Sequence, residues 1–146
     1  MNPLIALLSI LASTAASAPP VIVQASDFDW SYLPQLRERG YDHLSSKVME
    51  RLHEIASQGQ CQLTGFAGNR LDFRISFAAQ FDSDGKVLRI LIPKLNCPEA
   101  EGIVGGALLE MTRHGDYRPT GKNPDGWYRG RFTFGFEGKF SPKSRS

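Results

Sequence analysis

The sequence predicts a two-layer α+β domain ordered α-β-β-α-β, with two helices covering a three-stranded antiparallel sheet of order 2-1-3. Three observations carry this expectation. One run alternates apolar and polar residues without a break, two runs repeat apolar residues at helical spacing, and 146 residues suit one domain of ordinary size.

The first helix is expected over residues 41–57, where Tyr41, Leu44, Val48, Leu52 and Ile55 recur at intervals of three and four. Asp42 is placed to cap its start and Gly59 to supply a left-handed stop. In the first strand Leu71, Phe73, Ile75, Phe77, Ala79 and Phe81 alternate with Asp72, Arg74, Ser76, Ala78 and Gln80. One face therefore meets a core and the other meets water. Asp82-Ser83-Asp84-Gly85 turns the chain, and the Val-, Leu- and Ile-rich residues 86–93 return as the second strand of a hairpin. Pro93 has no N–H to donate and marks an edge or the end of pairing.

The second helix is capped by Asn96 or Cys97, carries Pro98 in its first turn, and sets Glu99 and Glu101 against the positive end of its dipole. Its apolar stripe is Ala100, Ile103, Val104, Ala107, Leu108 and Met111, and Gly115 ends it after Arg113 and His114. Gly102, Gly105 and Gly106 each cost roughly 1 kcal/mol there relative to Ala. Close approach of a neighbouring backbone is the expected reason for them. After a loop rich in Pro, Gly and Asn comes the third strand, with Tyr128, Phe132, Phe134 and Phe136 on one side and Arg129, Arg131, Thr133 and Glu137 on the other.

A strand–helix–strand crossover makes the second and third strands parallel, so the first can lie between them with every neighbour antiparallel. The second and third strands are then edges, and an open edge invites pairing by a partner peptide. Residues 61–70 have room for a short extra strand.

The first charged side chain is Asp27, and an apolar, small-residue run from Pro3 to Ala18 precedes Pro19-Pro20. Val23-Gln24-Ala25 offers modest residues where a signal peptidase reads, so residues 1–25 are expected to be a secretory signal cut near Ala25. A cut after Ala18 would put Pro19 just past the scissile bond. The alternative is an uncleaved inner-membrane anchor through residues 3–18, which are fewer than the roughly 20 a span needs. The expected location is periplasmic or secreted. In that oxidising setting Cys61 and Cys97 read as a disulfide, worth roughly 3–4 kcal/mol on a chain-entropy account. With no nearby His they make half a zinc site at most. Residues 26–40 form an N-terminal arm in which Trp30, Tyr32 and Leu33 can pack; residues 41–138 are the domain and residues 139–146 a short basic tail.

At this point the residues resemble a known family. The run from Phe77 into Asp84-Gly85-Lys86-Val87 looks like the hairpin of the TonB C-terminal domain family. Cys97-Pro98 matches its helix start, Tyr117-Arg118-Pro119 its aromatic-any-Pro close, Asp125-Gly126-Trp127 its variable loop, and Phe132, Phe134 and Phe136 its terminal strand. The cysteine pair is similar to that of the related TolA C-terminal domain. The resemblance implies a periplasmic protein-binding module that pairs an envelope or outer-membrane receptor peptide with its last strand, in TonB-type transport. It points to Tyr128, Arg129, Arg131, Phe132, Thr133, Phe134 and Phe136 as the partner-binding edge. Transducers of the family also carry a long linker and a membrane helix. Here about twenty residues lie between Pro20 and the first helix, a reach of roughly 70 Å, and the apolar segment holds no His. A freestanding adaptor is therefore expected.

Nothing else points to chemistry. A net charge of +2 with 22% charged residues gives no argument for nucleic acid. His53-Glu54 begins a zinc-protease pattern, but Ser57 stands where the second His is required, leaving a solvated helix face. Asp82 and Asp84 are explained by the turn, and Gly102 to Gly106 lie inside a helix with no Lys following. No catalytic residue, metal site, cofactor or small-molecule substrate is expected. Arg74, Arg89, Arg129 and Arg131 share the open face, either as part of a mixed solvated surface or as an anion-seeking one. Trp30 and Trp127 are contact anchors or pack on their own core. Two rivals remain: a homodimer through the edge strand, and a small envelope hydrolase without a recognisable motif.

Overall fold

The computed structural model describes residues 20–24, 29–40 and 44–138. In chain order the elements are β1 (Val21–Gln24), β2 (Arg37–Glu38), α1 (Ser46–Ser57), β3 (Phe66–Ala67), β4 (Arg70–Phe81), β5 (Val87–Pro93), α2 (Pro98–Arg113), β6 (Tyr117–Arg118) and β7 (Gly126–Glu137). The α+β class holds. The expected three-stranded antiparallel sheet does not: five strands form one mixed sheet, and β2 with β6 forms a second, two-stranded one.

The strict alternation of β4 makes it the centre. Leu71, Phe73, Ile75, Phe77, Ala79 and Phe81 are buried on one face, while Arg70, Asp72, Arg74 and Ser76 are exposed on the other. On one side β7 pairs antiparallel along all of β4, from Arg70↔Glu137 to Phe81↔Gly126. On the other side β5 returns through the Asp82–Gly85 turn, where Asp82 Oδ1 accepts from the Asp84 and Lys86 amides and Gly85 takes φ 77°. The short β3 folds back on the start of β4.

The extra strand that changes the architecture is β1. It runs parallel to β5, from Val21↔Ile90 to Gln24↔Pro93, so β5 is not the edge that the sequence suggests. An isolated β5 would present a bare ladder, and residues distant in sequence close it. Of residues 1–25, 1–19 and Ala25 lie outside the described residues, as does the tail at 139–146.

The helices differ from expectation in their starts and faces. α1 begins at Ser46, capped by Ser45, whose hydroxyl accepts from the Lys47 amide; Tyr41 and Asp42 lie outside the described residues. Both helices end as their glycines predict. Gly59 (φ 70°) and Gly115 (φ 86°) take the left-handed position, with the paired bonds of a Schellman motif: Gln60 N–H to Ile55 O and Gly59 N–H to Ala56 O, then Asp116 N–H to Met111 O and Gly115 N–H to Thr112 O. The buried stripe of α2 is rotated from the expected one. Glu101, Gly105, Leu109 and Thr112 are inside, and Ile103 and Ala107 are only half-buried.

Cys61 and Cys97 form a disulfide with Cα atoms 5.7 Å apart, tying the loop after α1 to the N-cap of α2. Arg51 of α1 pairs with Glu99 of α2, a second tie between the helices. The core lies between the helices and the apolar face of the sheet, where Leu52, Ile55, Phe77, Ile90, Ile92, Val104, Leu108, Met111 and Phe132 are fully buried. Each such side chain contributes roughly 1.5–3 kcal/mol by leaving water. No described helix is long and apolar enough to cross a membrane.

Candidate functional site

The site follows from which groups β7 turns outward. In an antiparallel pair, successive residues alternate between bonding across the ladder and facing away from it. Arg129 faces away: its N–H donates to Pro34 O and its carbonyl accepts from the Leu36 N–H, both at 2.8 Å. By alternation the backbone groups of Arg131, Thr133, Gly135 and Glu137 also face away from β4, while those of Phe132, Phe134 and Phe136 bond to it.

The expected binding strand is therefore divided. Its first half is covered by the N-terminal arm, through the bridge of Gln35 to Arg129 and a bond from Arg129 Nε to Leu33 O at 3.0 Å. The arm is held in turn by the β2–β6 ladder and by Thr120, whose hydroxyl donates to Gln35 O at 3.0 Å. The Arg131 carbonyl accepts from the Tyr117 hydroxyl at 3.1 Å. From Arg131 to Glu137, no described strand pairs with the outer side of β7.

The aromatic residues of the predicted edge split the same way. Tyr128 and Phe132 are buried core; Phe134 is half-buried and stacks on Phe73 with ring centroids 5.4 Å apart. They anchor the strand and leave Arg131 as the exposed side chain nearest the arm. Arg131 lines a cavity of about 590 Å³ with Asp29, Trp30, Glu38, Ser76 and Arg129. The Ser31 side chain and N–H bond to Asp29 and hold its carboxyl below the usual aspartate range, and the charge of Arg129 adds to this. Arg129 is thus half-occupied by the arm, whereas Arg131 and Arg74 form no ion pair with a described residue. At the far end of the strand Arg70 pairs with Asp72 at 2.9 Å and with Glu137 at 3.7 Å, so the open face is mixed in sign there.

Trp30, only 7% exposed, takes the second of its two expected places and packs on its own core, because the arm folds onto the sheet; Trp127 is half-buried and Tyr32, 71% exposed, is the arm's outward aromatic. One expectation is corrected. His53 is not on a solvated face. It is 8% exposed, 5.5 Å from the Phe66 ring and 5.4 Å from the Phe136 ring, with Nε2 2.8 Å from Asn69 O, so Nε2–H donates to that carbonyl. A cavity of about 410 Å³ beside it is lined by Glu50, Glu54, Ser57 and Gly138. Among the described residues no three His, Cys, Asp or Glu side chains converge as metal ligands.

No protein-family model, curated protein or solved structure matches this chain. The family resemblance seen in the sequence therefore stands on its motifs alone. Sequence reasoning placed the arm at residues 26–40 but missed its pairing with β7: Gln35 and Leu36 carry no pattern, and the pairing of Gln35 with Arg129 spans most of the domain. The one available signal was the apolar content around Trp30, Leu33 and Leu36 in a segment without helical or strand periodicity.

Proposed function

We propose that this chain is an exported, TonB/TolA C-terminal-like protein-binding module. In this reading an extended peptide of an envelope or outer-membrane protein adds to β7 by β-augmentation, and the module acts as an adaptor in TonB-type transport. What supports it is one observation above the others: β7 is twelve residues long, is fully paired on its β4 side, and beyond Arg129 has no described strand on its outer side. Such an edge supplies main-chain hydrogen bonds to a partner strand, and the flanking Arg131 and Arg74 favour a peptide with acidic side chains. The engaged stretch lies towards the Glu137 end and is shorter than the whole strand, because the arm already fills the place beside Arg129 and the Tyr117 hydroxyl bonds the Arg131 carbonyl.

The test is site-specific photo-crosslinking from position 135 in the exported full-length protein, with the crosslinked segment mapped by mass spectrometry. The expected product is an extended segment of another envelope protein. It should be lost with Arg131→Glu or Thr133→Pro and kept with Leu88→Lys, a substitution on the exposed side of β5. Phe134→Pro is a poor probe, because the Phe134 amide faces β4 and its loss would damage the sheet. Crosslinking only to a second copy of the chain, or to nothing, defeats the reading.

A further inference from the structure

β1 is a structural part of the sheet, yet it lies inside the segment that looks like an export signal. Its four residues run in register with β5. Two more bonds extend the ladder at its ends, from Ile90 N–H to Pro20 O at 2.6 Å and from Lys94 N–H to Gln24 O at 2.7 Å. Across the layer, α2 is shaped to receive it. A Cβ built on Gly105 would stand 2.4 Å from Val21 Cγ1. Glycine in a helix interior is destabilising unless something needs the space, and Val21 takes that space. Beside this contact Val21, Val23 and Gln24 form one wall of a cavity of about 650 Å³ whose other wall includes Glu101, only 7% exposed.

A cut after Ala25 would remove all of this. It would bare the ladder of β5, a strand whose Ile90 and Ile92 are fully buried, and leave Gly105 with no packing reason. Resting on the export reading above, we propose that the signal is cut on the N-terminal side of Pro20, at the Ser17–Ala18 bond, so that the mature chain keeps β1. That bond has Ala15 and Ser17 at the two small-residue positions a signal peptidase reads, and it keeps Pro19 out of the position just past the cut. Hydrolysis adds one water. Its oxygen goes to the Ser17 carbonyl carbon, which leaves as the carboxylate of the signal, and both its protons go to the Ala18 nitrogen, which becomes the new α-ammonium group.

Intact-mass measurement of the exported product of the full chain tests this. The expected mass is that of a chain beginning at Ala18, eight residues longer than one beginning at Ser26. A product beginning at Ser26, or an uncut exported chain, overturns the proposal. A chain held in the cytoplasm with reduced cysteines overturns the export reading and the proposal with it. A second measurement on the same exported protein reads the contact directly. With β1 in place, Gly105→Ala lowers the melting temperature, and adding Val21→Ala restores part of the loss. In a protein that has lost β1 the substitution raises the melting temperature, because Ala is the better helix former; a rise is the result that sinks the idea.

Discussion

Replacing a hydrogen by a methyl group probes the packing at Gly106 and Gly130 in opposite directions. Gly106 is exposed on α2, and a Cβ there meets nothing within 4 Å. Gly106→Ala should therefore raise the unfolding free energy by about 0.5–1 kcal/mol through helix propensity alone. Gly130 lies under Phe77: a Cβ would come within 2.6 Å of two ring carbons and 3.1 Å of Leu36 Cδ1. That ring cannot swing aside, being fully buried with Tyr117 edge-on at 4.8 Å. Gly130→Ala should cost about 1–3 kcal/mol. Denaturant titration of the two variants checks the pair, and a Gly130→Ala as stable as the parent would show that Phe77 does not pack as described. The sequence marked the α2 glycines as needing a reason, but a reason for Gly105 required knowing that Val21 sits opposite. Residues distant in the chain leave no local trace of their contact.

The elements that were legible are those whose pattern is local. The alternation of β4, the turn at Asp82 to Gly85, the stops at Gly59 and Gly115 and the Cys61–Cys97 pair follow from neighbours in sequence or from residue chemistry. What escaped was β1, the β2–β6 ladder and the pairing of the arm with β7. β1 is a four-residue parallel strand, and parallel pairing has no short-range signature, so its apolar run merged with the export segment. The stripe of α2 turned inward by one position because β1 and β5 present their surface to the Glu101 and Gly105 side. The disulfide spans 36 residues of sequence, and closing such a loop contributes roughly 3–4 kcal/mol by restricting the unfolded chain. Replacing both cysteines by Ala should lower the unfolding free energy by about that much, and reduction of the parent should reproduce the shift. A loss under ~1 kcal/mol by urea titration would mean that the disulfide does not restrict the unfolded chain as this account requires, since the exposed Arg51–Glu99 pair is worth too little to replace it.

Taken as a molecule, the sheet has two sides to close. Among the described residues β1 closes the β5 side, and the arm pairs with β7 at Arg129. The arm is held by Leu36, 5% exposed, by two backbone bonds to Arg129, and by the bond from Arg129 Nε to Leu33 O. Within the arm, Asp29 adds a small, solvent-screened contribution, first through its bonds from Ser31 and last through the charge of Arg129. Because its carboxyl is held below the usual aspartate range in the folded state, that contribution is present at neutral pH and fades as pH falls through the lowered value. If the arm docks as a separate unit, loosening it should free one backbone position without unfolding the sheet. The Arg129 amide is the reporter, since its hydrogen bond goes to Pro34 O in the arm, whereas the Phe132 amide bonds to β4. Leu36→Ala removes a buried side chain, a change that costs about 2–5 kcal/mol where the site cannot collapse. Hydrogen exchange at Arg129 should then accelerate by a larger factor than at Phe132. Equal acceleration at the two amides would show instead that arm and sheet unfold as one.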